Sequence, residues 1–142
     1  MDDKSFQKQE KKEDDDLRSV EESYKRRLMS LPGEVYEVRE EMFNLEKAIQ
    51  TIDVELDKVE ADLYFRVQKS VNDEGKPLYK TVLDKENALV VMKYHNEGYQ
   101  DLVKQKRELK NKHSLLGFKL ESLQNKFKAL KEIIRTYKAG DL

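Results

Sequence analysis

Late in the chain, Leu109, Leu116, Leu120, Leu123, Phe127, Leu130, Ile134 and Tyr137 follow one another in alternating steps of four and three, with His113 filling one place in the series. This spacing stacks side chains on one stripe of an α-helix, and such a stripe must be buried against other helices. No Pro follows Pro77, so nothing forces the helix to stop before Ala139-Gly140. An earlier seam has the same alternation: Val35, Val38, Met42, Leu45, Ile49, Ile52, Leu56, Val59 and Leu63. Between the two lies Asn72-Asp73-Glu74-Gly75-Lys76-Pro77, a polar breaker cluster that reads as a turn, with a short β-hairpin as the lesser alternative. No repeat longer than the heptad is evident.

Charged residues make up 40% of the 142 and hydrophobic ones 37%, against about 25% and about 45–50% in ordinary globular chains. So polar a chain cannot fill a wide core, but it fills the narrow seam of a coiled coil. The predicted fold is therefore all-α: an elongated antiparallel helical hairpin with a short third N-terminal helix and a disordered N-terminal tail. Residues 1–16 hold seven acids and four bases, with Met1 and Phe6 their only large apolar groups. That is too little to offset the entropy of ordering. Residues 17–142 form a single domain with helices at about 17–30, 34–71 and 81–138. Pro32-Gly33 ends the first helix, and Thr81 or Asp84 caps the start of the third.

Folding back about Gly75 sets Val35 opposite Gly117 and leaves residues 118–138 as an overhang. The first helix then covers the overhang, with Leu17, Val20, Tyr24 and Leu28 against Ile134, Leu130, Phe127 and Leu123. Charge sorting favours this pairing: residues 34–62 carry a net −7 and residues 104–138 a net +8. A parallel dimer of one long helix is the alternative architecture.

Catalytic chemistry has no foothold in the sequence. There is no Cys, no Gly-rich phosphate loop and no His-Glu-x-x-His, and the carboxylates fall on the outer positions of the second helix. No enzyme, cofactor or metal is expected. The longest apolar run, Ala88 to Met92, is too short to span a bilayer. The charged N-terminus does not resemble a secretory signal, so a soluble cytoplasmic protein without membrane contact is expected. His95 and His113 both fall on the seam of the third helix, about 27 Å apart, too far to share a metal, and are read as polar seam layers. Lys106 is expected to reach Glu46.

One end of the hairpin gathers cations. Arg18, Lys25, Arg26, Arg27, Lys119, Lys126, Lys128, Lys131, Arg135 and Lys138 outnumber the local carboxylates. A patch of this density attracts phosphate backbones through counterion release, whatever the base sequence. Tyr24, Phe118, Phe127 and Tyr137 are interspersed and offer rings for base stacking. The competing reading is a solvated lysine-rich face neutralised by the acidic tail. Leu115, Phe118 and Ile133 lie off the main seam and predict a further contact, either a homo-oligomer or another protein.

The long helix, the polar Gly-containing hinge from Asn72 to Tyr79, the stretch Lys80-Thr81-Val82-Leu83 opening the next helix and the Ala139-Gly140 end together resemble the phage UvsY-type recombination mediators. The Asp73 to Tyr79 run also resembles small coiled-coil proteins of prophages and mobile elements. The resemblance implies a ring-forming helical protein, in the cytoplasm of a bacterial host, that binds single-stranded DNA and assists a recombinase. It carries Arg66 and Lys69 over as DNA-contacting residues. The mediators' basic cluster before the hinge is reduced here to those two. The expected function is thus a non-enzymatic accessory of DNA recombination. The alternative is a structural or adaptor coiled coil (scaffold, chaperone-like protein or inhibitor) acting through protein contacts alone.

Overall fold

The computed structural model describes the backbone of residues 3–139 and the side chains of residues 13 and 16–139. It is all-α among those residues, with helices α1 (Asp3–Lys69), α2 (Val82–His95) and α3 (Glu97–Ala139). The chain divides into two compact units. Unit 1 comprises Met1–Glu41 with Leu116–Leu142, and unit 2 comprises Met42–Leu115.

In unit 1 the expected break at Pro32-Gly33 does not occur, and α1 runs through both residues. A Pro inside a helix costs about 3 kcal/mol through its missing N–H and its clash with the preceding turn. Packing and bracing offset that cost. Leu31, beside the Pro, is fully buried, which is worth about 2–3 kcal/mol. Arg27 reaches over the Pro to Glu34, donating a 2.6 Å hydrogen bond, and the Ser30 hydroxyl donates to the Arg27 carbonyl at 2.8 Å. Helices at 17–30 and 34–71 are therefore one element. The backbone is already helical at Asp3, inside the stretch 1–16 expected as a tail. No Pro or Gly precedes Pro32, so a helix nucleated by the packed segment can propagate into it. Of the side chains in 1–16, only Glu13 and Asp16 are described, both exposed.

The core of unit 1 is Leu31 and Val38 on α1 with Leu123 and Ile134 on α3. The Tyr24 and Tyr137 rings pack 6.1 Å apart, centroid to centroid. Val35 and Gln124 line one groove, and Val38 and Leu123 line another, so the two segments run in opposite directions. The register differs from the expected one: Val35 lies beside Gln124 and Phe127, not opposite Gly117. Residues 118–138 are not an overhang awaiting a separate helix, because α1 itself already packs along them.

In unit 2 the reversal is tight and local. Asn72 organises it: its side-chain oxygen accepts from the backbone N–H of Glu74 and of Lys76, each at 3.0 Å. Its own N–H donates to the Lys76 carbonyl at 2.8 Å, and Leu78 N–H donates to the Ser70 carbonyl at 2.9 Å. One antiparallel β-bridge, Val71 to Pro77, results. Gly75 has φ 77°, the left-handed region that a side chain resists. Thr81 caps α2, accepting from Asp84 N–H at 3.0 Å.

The expected third helix, 81–138, is two helices. Asn96 is extended and its side chain accepts from Tyr99 N–H at 2.7 Å, which caps α3. The Gln100 side chain donates to the Lys93 carbonyl at 2.9 Å, which also accepts from the Asn96 backbone N–H at 3.3 Å at the end of α2. Ile52, Leu56, Leu63 and Val67 of α1 and Ala88 of α2 are buried. Two ion pairs and a hydrogen bond flank this seam: Lys93–Glu60 at 2.9 Å, Lys106–Asp53 at 2.6 Å, and His113 with Glu46 at 2.9 Å. As residue numbers fall from 60 to 46 they rise from 93 to 113, so these segments too are antiparallel. Lys106 meets Asp53 rather than the expected Glu46, which His113 occupies. His95 ends α2, exposed, with its ring against the edge of Tyr94. It is not a seam layer, because the interruption at Asn96 breaks the seven-residue phase that put it there.

Candidate nucleic-acid interface

Unit 1 holds ten of the twelve cations expected to form a basic site, and unit 2 holds Arg66 and Lys69. The structure sorts the unit 1 cations onto different flanks of the helix pair. On α3, Lys128, Lys131, Arg135 and Lys138 follow at steps of three, four and three, which places them on one flank. All four are exposed. A groove of about 420 Å³ opens beside Lys128, lined also by Pro32, Val35, Arg39, Gln124 and Phe127. It brings Arg39 of α1 onto the same flank as the row. By its spacing from Pro32, Lys25 also falls on that flank.

The opposite flank is electrostatically balanced. Lys119 lies in a cleft with Glu34, Glu37 and Glu41, and Arg27 is paired to Glu34 at 2.6 Å. Those two cations therefore do not belong to an unneutralised patch. Arg26 is exposed on the outer side of α1, and Lys126 lines a shallow hollow on α3 with Phe118, Glu121 and Asn125. Arg18 is exposed as well.

Within the basic flank two cations have partners: Lys25 with Glu21 at 3.2 Å and Arg135 with Glu132 at 2.6 Å. The Glu132 hydrogen bond, reinforced by its charge, raises the Arg135 pKa above its ordinary value. Arg39, Lys128, Lys131 and Lys138 have no carboxylate within 4.0 Å among the described residues. The Lys131 ammonium instead sits 5.5 Å from the centroid of Phe127.

Of the four aromatics expected to stack on bases, Tyr24 and Tyr137 are half-buried against each other, and Phe127 is half-buried in the groove wall. Only Phe118 is largely exposed, at 68%. Leu115, in unit 2, is 66% exposed, whereas Ile133 is half-buried beside buried Ile134. Arg66, in unit 2, spends its guanidinium on Asp62 at 3.4 Å, and Lys69 lies 4.4 Å over Phe65.

Arg39 is the residue that sequence reasoning missed. It sits in the most acidic stretch of the chain, and only the inter-helix register reveals that it points away from those carboxylates. No cluster of three or more His, Asp or Glu side chains suited to a metal ion occurs among the described residues, and none of the described helices is long and apolar enough to cross a membrane. No family model, curated protein or solved structure matches this chain, so its function is read from its own residues.

Proposed function

We propose that the chain is a non-enzymatic accessory protein of DNA recombination from a phage or mobile element. It is an antiparallel coiled-coil hairpin that forms homo-oligomers, binds single-stranded DNA without sequence preference and assists a recombinase. The observation that carries this reading is the basic flank of unit 1. There, the 128–131–135–138 row is joined by Arg39 across the groove, and four of these cations lack a carboxylate within 4.0 Å among the described residues. Uncompensated cations in a row release counterions when they meet a phosphate backbone, and the resulting affinity falls steeply with salt.

Fluorescence anisotropy with a single-stranded oligonucleotide tests it. Binding should weaken as salt rises. The triple variant Lys128→Glu, Lys131→Glu, Lys138→Glu should abolish it, while Lys119→Glu, on the balanced flank, should change it little. Binding absent at low salt, or equal losses from both variants, sinks the reading.

A second reading is an adaptor that works through protein contacts only. Phe118 favours it: the ring is 68% exposed, and the hollow it lines is formed by α3 residues alone among the described residues. In that case Phe118→Glu abolishes partner binding and the triple lysine variant does not.

A further inference from the structure

We infer that the outer face of α1 in unit 2 is the surface on which a second copy of this chain docks, antiparallel, about a two-fold axis near Val54. The stretches FNLEK from Phe43, VELDK from Val54 and FRVQK from Phe65 repeat one pattern every eleven residues. The repeat escapes a search for the heptad seam because it marks the other side of the helix. Eleven residues make close to three full turns, so each step returns to the same face. The third position of each stretch points inward, with Leu56 and Val67 buried and Leu45 half-buried. The first points outward: Phe43, Val54 and Phe65 are 54%, 53% and 52% exposed. A helix with apolar residues on opposite faces has two neighbours, and α2 and α3 cover only the inner one.

The fifth position is Lys each time. Lys47 lies 4.3 Å over the Phe43 ring and Lys69 lies 4.4 Å over Phe65. Thr51 and Ala61 complete the face, and Asp62, eleven residues after Thr51, is the carboxylate at its edge.

Three features select the occupant. The order Phe–Val–Phe at equal spacing reads the same from either end, so a two-fold axis at Val54 sets Phe43 on the second copy's Phe65 and Val54 on itself. That self-complementarity is what an isologous interface requires. Charge selects the direction: parallel in-register pairing stacks three lysines on three lysines, whereas the antiparallel arrangement brings Lys47 beside the second copy's Asp62. The extent sets the strength. A contact about 40 Å long on a helix about 10 Å wide covers about 400 Å² per copy, below the roughly 800 Å² per partner of a standard interface. The dimer is therefore reversible and concentration-dependent. It deepens the oligomer part of the proposed function and involves none of its nucleic-acid part.

Sedimentation equilibrium on the full chain, from micromolar to millimolar protein and without nucleic acid, tests the inference. The wild type should dimerise. Phe43→Glu with Phe65→Glu should weaken the dimer by about tenfold or more, with far-ultraviolet circular dichroism unchanged because both rings lie on the outer face. The chain has no Cys, so introduced thiols report geometry directly. Val54→Cys should give a disulfide-linked dimer on mild oxidation. Lys47→Cys mixed with Ala61→Cys should cross-link while Lys47→Cys alone does not; efficient self-linkage of Lys47→Cys would mean a parallel pair and overturn the arrangement. A wild type that stays monomeric throughout overturns this dimer and the oligomer reading together. A dimer indifferent to the Phe43/Phe65 variant but dissociated by Phe118→Glu overturns this surface and leaves the oligomer reading standing.

Discussion

Replacing Gly33 by Ala should stabilise the protein. The position lies inside α1, φ is not positive there, and a Cβ built on Gly33 meets nothing within 4 Å. The substitution thus introduces no clash and removes the backbone freedom that makes Gly a poor helix residue. The expected gain is about 1 kcal/mol, which for a chain of this size raises Tm by about 2–4 °C. Pro32→Ala should stabilise the protein as well. It restores an N–H to the helix ladder and relieves the ring's clash with the preceding turn, for about 3 kcal/mol, less the roughly 1 kcal/mol by which Pro stiffens the unfolded chain. A net gain of about 2 kcal/mol is expected. Urea unfolding followed by circular dichroism reads both, with the slope of the transition checked for constancy. The sign is what matters. If Pro32-Gly33 is instead a turn between two helices, Gly33→Ala is neutral or destabilising. Stability unchanged or lowered by both variants refutes the continuous helix, and with it the register of unit 1 that places Arg39 beside Lys128.

Gly75→Ala should act in the opposite direction, costing about 1–2 kcal/mol because φ there is 77°; a loss of denaturant stability for Gly75→Ala beside a gain for Gly33→Ala is the expected pair. Asn96→Ala should cost about 1 kcal/mol through loss of the cap on α3, and hydrogen exchange should accelerate first at Tyr99 and its neighbours. Leu31→Ala removes a fully buried side chain and should cost about 2–5 kcal/mol; a loss below 1 kcal/mol would mean that the site is not packed in solution.

Much of the fold is legible in the sequence because it depends on short-range chemistry. The seam positions Val38, Ile52, Leu56, Leu63, Leu123 and Ile134 are buried as the spacing predicts, since a period of about 3.5 residues needs only one helix to define it. The hinge from Asn72 to Pro77 and the Thr81 cap are equally local: Asn, Gly, Pro and Thr each fix backbone geometry within a few residues. Asn96 was legible too, as an Asn followed by Glu97 and Gly98, but the seam on either side of it concealed the signal. The candidate site was half legible. The row from Lys128 to Lys138 can be read from its spacing, whereas nothing local separates it from Lys119 or includes Arg39.

The sequence by itself determined which residues face inward and where the chain turns, because helix period and turn chemistry are properties of neighbouring residues. Tertiary structure alone decided the register: Asp53 rather than Glu46 against Lys106, and Val35 beside Gln124 and Phe127. Register depends on how much chain the hinge and the Asn96 interruption consume, and no periodicity encodes that length. Tertiary packing also overrode Pro32, because burying Leu31 is worth about as much as the Pro costs. Which cations stand apart from carboxylates follows from that register, since a charge is neutralised by whatever the facing helix sets beside it.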